Sequence, residues 1–182
     1  MKITLLKIGL TLLAIILIIC IIALFTTKRY TLTRKITINQ SVDKVYNFVR
    51  FHSNQQQYNT WLRNDPNTVI TIDHNQDGQA GAILHFESSN KKAGTGNWIN
   101  EKFIENKQID YSIQFLKPYT FKANGTIYFQ DLGQNQMNLT WVYHSGMDWP
   151  MNIILLFIYM DKIIGKDIEI TLENLKKITE KL

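Results

Sequence analysis

A chain of 182 residues, 45% of them hydrophobic, is long enough for one domain with a sizeable core. Its net charge of +5 does not describe a nucleic-acid surface, because Lys2, Lys7, Lys28 and Arg29 contribute four of the 20 basic residues within residues 1–29, which hold no acid, and the rest is nearly balanced. The single cysteine, Cys20, excludes an intrachain disulfide.

Residues 8–25 read IGLTLLAIILIICIIALF, without a charge. Extended to Thr27, the run makes about 20 residues, or roughly 30 Å of helix at 1.5 Å per residue, the thickness of a hydrocarbon core. A backbone in lipid must satisfy its own hydrogen bonds, so residues 8–27 are expected to form a transmembrane helix. A cleaved signal peptide needs a shorter apolar stretch and a small-x-small site, which Ala23-Leu24-Phe25-Thr26-Thr27-Lys28 does not offer. Ile19 before Cys20 likewise argues against lipoprotein processing. The expected organisation is an uncleaved single-pass anchor over 1–29 and a water-facing domain over 30–182. Basic residues flank the run on both sides and set no orientation.

Residues 30–38 alternate as a strand. Ser41 precedes an amphipathic helix in which Val42, Val45, Tyr46 and Val49 share a face, and a second short helix is expected over 53–62. Period-two patterning then predicts strands at 67–73, 80–88, 95–105, 108–116, 119–130 and 135–145, joined by turn-like segments as an antiparallel meander. Asn124-Gly125 is a turn signal inside one of these strands. From Asp148 and Pro150 to Leu182 a long helix is expected. Ile153, Phe157, Met160, Ile164, Ile168, Leu172 and Leu175 form one stripe along it. Leu155, Ile158, Tyr159 and Ile163 widen the apolar surface near its start, which must be enclosed, cover a cavity or touch lipid.

This α+β order resembles the START-like, Bet v 1-like (SRPBCC) superfamily, and within it the bacterial polyketide cyclase-type branch with an N-terminal membrane helix. The likeness covers roughly 30–182. It rests on the helix from Ser41 to Phe48, Trp61 with Asp65-Pro66-Asn67, Gly81 before the strand 82–88, and the run from Glu87 to Gly96. Further matches are Ile109-Asp110-Tyr111, Phe115-Leu116-Lys117-Pro118, Pro150-Met151-Asn152 through Asp161 to Gly165-Lys166-Asp167, and Leu172 to Lys176. The resemblance implies a helix-grip fold, a curved antiparallel sheet around a long C-terminal helix with an apolar cavity between them. It brings no catalytic motif, and His85 stands where an aromatic is usual.

Candidate chemistry is sparse. His85 and Glu87 share one face of a strand and would make an acid/base pair if they pointed inward. The alternation instead puts Ala82, Leu84 and Phe86 inward, and the same parity argument turns His144 away from Trp141 and Tyr143. His52 and His74 have no ligand-spaced neighbour. Asp73-x-Asn75-x-Asp77-Gly78 copies half a calcium loop, but Leu84 occupies the position of the bidentate glutamate, and a β-turn explains it better. No metal or cofactor is expected.

Trp98, Tyr111, Phe115, Phe121, Phe129, Trp141 and Tyr143 are expected on the inner face of the sheet. With Phe157, Met160 and Ile164 of the last helix, all of them except Phe129 are the candidate lining of a ligand cavity. The expected partners are therefore the membrane, through residues 8–27, and a small hydrophobic, lipid- or polyketide-like ligand, with no nucleic acid. The expected role is a membrane-anchored binder or carrier. A cyclase- or hydrolase-type enzyme, or an interaction module without a ligand, are the alternatives.

Overall fold

The computed structural model describes residues 2–73, 76–89 and 94–182. His74, Asn75 and Asn90 to Ala93 lie outside the described residues, and with them part of the calcium-like run and of the stretch from Glu87 to Gly96. The chain packs as two compact units. One comprises residues up to Tyr30 with Gly146–Met160, the other Thr31–Ser145 with Asp161–Leu182.

In the first unit, α1 (Lys2–Phe25) is one uninterrupted apolar helix. Its side chains are exposed around most of its length. It is long and apolar enough to cross a membrane. Only towards its end do residues become covered: Ala23 is buried and Cys20 half-buried.

The second unit is a seven-stranded antiparallel sheet in the order β1-β7-β6-β5-β4-β3-β2. The strands are β1 (Arg29–Ile38), β2 (Val69–Ile72), β3 (Ile83–Glu87), β4 (Thr95–Ile104), β5 (Gln108–Lys117), β6 (Phe121–Gly133) and β7 (Gln136–Gly146). All seven stand where the alternation predicts them, and consecutive strands from β2 to β7 pair as a meander. Asn124-Gly125 lies within β6 and makes no turn. Gly125 is required because a Cβ there would run into the Val142 carbonyl oxygen and the Tyr111 hydroxyl.

Between β1 and β2 the chain forms α2 (Val42–Val49), which packs on β6. A 3-10 turn (His52–Asn54) leads into α3 (Gln55–Tyr58) and α4 (Thr60–Arg63). The single short helix expected over 53–62 is thus divided. Asn59 takes an extended conformation and its side chain caps α4 by accepting the Trp61 backbone N–H at 3.1 Å. Buried polar groups fix this segment. Asp77 accepts the backbone N–H groups of His52 and Ser53 at 2.6 and 3.0 Å, which gives this aspartate a role as a cap. Burial of its carboxyl opposes ionisation, but hydrogen bonds from Ser53 and His52 outweigh that and lower its pKa.

The long C-terminal helix is corrected. Residues Met151–Leu156 form a 3-10 helix, Asp161–Gly165 a π turn, and only α5 (Lys166–Thr179) is regular α-helix. Pro150 offers no backbone donor, and the Asn152 side-chain amide is committed to the Ala23 and Thr26 carbonyl oxygens at 2.7 and 3.0 Å, so tertiary hydrogen bonds override the helical period here. The π turn surrounds Arg34, which donates to Asp161 at 2.8 Å and to Glu169 at 2.5 Å. A Cβ at Gly165 would strike the Arg34 guanidinium. On α5 the predicted stripe is observed, with Ile168, Leu172 and Leu175 all buried.

Candidate functional site

The inner face of the sheet carries a continuous aromatic layer. Trp98 stacks on Tyr111 with centroids 5.0 Å apart, and Trp141 meets both edge-on at 6.1 and 6.0 Å. The Trp141 indole N–H donates to the Tyr111 hydroxyl at 2.7 Å, which donates onward to the Val142 carbonyl at 3.0 Å. Burial pushes the Tyr111 phenol far above its ordinary pKa, so it remains a neutral donor.

Facing this layer is Trp61 of α4, half-buried, with ring centroids 6.1 Å from Trp98 and 5.9 Å from Tyr143. Its indole N–H donates to Asp167 of α5 at 3.1 Å. Thr60 N donates to the Thr171 hydroxyl at 3.1 Å, and Asn174 to the Tyr58 carbonyl at 3.3 Å, tying the short helices to α5.

Trp61, Leu62, Phe86, Trp98, Ile113 and Phe115 enclose a cleft of ≈ 10 Å³, room for about one water. Every lining side chain is apolar. Phe115 stacks on Phe121 at 4.2 Å, and Phe121 is 38% exposed, so an aromatic path connects the cleft with the surface at the β5–β6 hairpin.

The expected site residues therefore separate into groups. Trp98 and Phe115 line the cleft, while Tyr111, Trp141 and Tyr143 are fully buried beside it in the aromatic layer. Phe121 stands at the surface. Ile164 is half-buried in the π turn of the same unit. Phe157 and Met160 belong to the other unit, where Phe157 is 77% exposed and Met160 half-buried. Trp61, Leu62, Phe86 and Ile113 were not among the expected lining. Phe86 and Ile113 face inward by the alternation of β3 and β5, whereas the positions of Trp61 and Leu62 depend on how α4 folds over the sheet, for which the local pattern carries no signal.

The polar candidates point away from the cleft. His85 lies between Leu84 and Phe86, which are buried, and its Nδ1 is 2.8 Å from the Asn97 side-chain oxygen. Glu87 is exposed. His144 is exposed and 2.8 Å from the Thr31 hydroxyl. On this outer face an open hollow of ≈ 520 Å³ is bordered by Glu101, Asp110, Ser112, Asn124, Thr126 and His144. Its carboxylates are engaged, Glu101 by Ser112 at 2.5 Å and Asp110 by Thr126 at 2.7 Å.

Among the described residues, His52 is the buried histidine. Its Nε2 lies 3.0 Å from the Ala82 carbonyl, which can only accept, so Nε2 carries the proton; Nδ1 then accepts from the Gln55 amide at 2.9 Å. The imidazole is neutral, and burial lowers its pKa against the opposing pull of the Ala82 carbonyl and Asp77.

No protein-family model and no curated protein matches the sequence. Solved structures do. Truncated norcoclaurine synthase from Thalictrum flavum superposes with a TM-score of 0.63 at 11% identity, covering 84% of this chain and 94% of its own. An uncharacterised protein from Rhizobium leguminosarum gives 0.62 at 13%, covering 85% and 97%. The di-domain ARO/CYC StfQ of the steffimycin biosynthetic pathway gives 0.61 at 10%, covering 85% of this chain and 51% of that one. The curved antiparallel sheet with its C-terminal helix is thus the helix-grip fold that these structures share, preceded here by one long apolar helix. At such identities the likeness defines the fold and leaves the chemistry to the residues.

Proposed function

We propose that this protein is a membrane-anchored binder of a small hydrophobic ligand, taken up between the sheet and α4. The observation that supports this is the composition of the cleft: six apolar side chains, four of them aromatic, joined through Phe115 and Phe121 to the surface. Such a lining recognises an apolar, preferably flat molecule by area and stacking and offers no group for acid/base work. His85, Glu87 and His144 all lie outside it, which disfavours the cyclase or hydrolase alternative. A membrane anchor on the same chain as an apolar site suits a ligand that partitions into lipid.

At ≈ 10 Å³ the cleft is closed, so uptake requires Trp61 to move. It stands on a helix of four residues, and its indole is held by one hydrogen bond, to Asp167. The closed volume also favours a second reading, an interaction module whose interior never opens. Titrating the full chain in lipid nanodiscs with fluorescent fatty-acid and sterol probes separates the two. Ligand binding predicts saturable uptake that Ile113→Trp abolishes by filling the cleft. Linear partitioning, identical in that variant, supports the module.

A further inference from the structure

Between Asp148 and Asp161 the chain has twelve uncharged residues, WPMNIILLFIYM. Of these, Trp149 is 46%, Met151 57%, Leu156 54% and Tyr159 73% exposed, alongside Phe157. So many large apolar side chains facing outward in one short run mark a contact surface. What covers them follows from α1, which belongs to the same compact unit.

Hydrogen bonds set the level of this segment along α1. At the polar end, Arg29 pairs with Asp148 at 2.8 Å and the Met147 N–H donates to the Lys28 carbonyl at 2.9 Å. From there the chain runs back along the apolar helix. Asn152 donates to the Ala23 and Thr26 carbonyls, and the Trp149 indole donates to the Cys20 carbonyl at 3.0 Å. Cys20 lies five residues before the end of α1, about 7.5 Å at 1.5 Å per residue. The border between charged and apolar residues therefore falls at one level on both strands of chain, and residues 149–152 lie on its apolar side.

Carbonyls at and just beyond the end of α1 are also supplied with donors by the chain itself. The last carbonyls of a helix have no intrahelical partner. Here the fully buried Asn152 supplies the Ala23 and Thr26 oxygens, and the Thr26 hydroxyl supplies the Ile22 oxygen at 3.0 Å. In lipid, where water is missing, such groups must come from the chain itself.

We infer that residues 149–159 are a second, non-spanning membrane contact, seated in the interface of the bilayer that α1 crosses. Trp149, just on the apolar side of the charged border, and Tyr159 take the interfacial position favoured by amphipathic rings, and Met151, Leu156 and Phe157 reach towards the acyl chains. The contact fixes the depth and tilt of the anchor. It rests on α1 being a membrane span.

The test uses the full chain with Cys20→Ala, reconstituted in phosphatidylcholine/phosphatidylglycerol vesicles. A nitroxide is placed in turn through Leu17→Cys, Phe157→Cys and Gln130→Cys, and its collisions with oxygen and with a water-soluble nickel chelate are compared. The expected oxygen-to-nickel ratio at 157 is several-fold above that at 130 and approaches that at 17. A lipid-like 17 with a water-like 157 overturns the interfacial contact alone. If 17 is water-like as well, the span itself fails. A label at 157 shielded from both reagents and broadened by spin–spin coupling means a second copy covers the face, which also overturns it.

Discussion

The indole of Trp141 and the hydroxyl of Tyr111 are 2.7 Å apart in the middle of the sheet, and the same hydroxyl continues to the Val142 carbonyl. Two polar atoms in an aromatic layer thereby satisfy each other and the backbone, and register two neighbouring rings. Tyr111→Phe removes both bonds without changing ring packing. It leaves the Trp141 N–H buried and unpaired, so about 1–3 kcal/mol of stability is lost. Denaturant unfolding of the full chain in mild detergent, followed by near-ultraviolet circular dichroism, measures this loss.

His52 makes stability depend on pH. Its folded pKa lies below the ordinary value of 6.5 because burial disfavours the imidazolium. The unfolded chain therefore takes up a proton first as pH falls. The contribution is complete above about pH 6.5 and is lost below it, down to the folded pKa, with a slope of at most about 1.4 kcal/mol per pH unit. Asp77, whose pKa is lowered, acts in a separate window: its contribution persists through this range and is lost only in stronger acid. Unfolding midpoints between pH 7.5 and 5 should fall for the wild type and change less for His52→Gln.

Arg34 holds the π turn to β1 through two carboxylates. Its pKa is raised chiefly by the hydrogen bond to Asp161, with Glu169 adding to it. Both carboxylates are more than half exposed, so screening keeps the stability contribution below about 1 kcal/mol. The geometric effect is larger, because a lysine ammonium lacks the planar fork that spans both partners. Arg34→Lys is expected to leave the global unfolding midpoint nearly unchanged while amide exchange at 161–165 accelerates.

How legible these features were depends on the range of the interactions behind them. The strands follow from side chains alternating against one face, a local pattern, and each is found where that pattern places it. Gly125 looked like a turn because its real reason, the hydroxyl of Tyr111 on the neighbouring strand, is absent from its local sequence. The last helix read as continuous because apolar residues recur at helical spacing from Ile153 onward. Just ahead of that run, Trp149 and Asn152 bond to carbonyls 129 positions earlier, beyond any window of periodicity, and the chain there is a 3-10 helix instead. Trp61 and His52 were hidden for the same reason: one is placed by Asp167, the other by Ala82 and Gln55 together.

Hydrophobic ligand binding is tested most directly by native mass spectrometry of the full chain, released from the nanodiscs in which it was purified. The expected result is a retained mass of a few hundred daltons on the wild type, removed by organic extraction and missing from Ile113→Trp. Identical, unliganded masses for both proteins, with no uptake when lipids are added back, would contradict it.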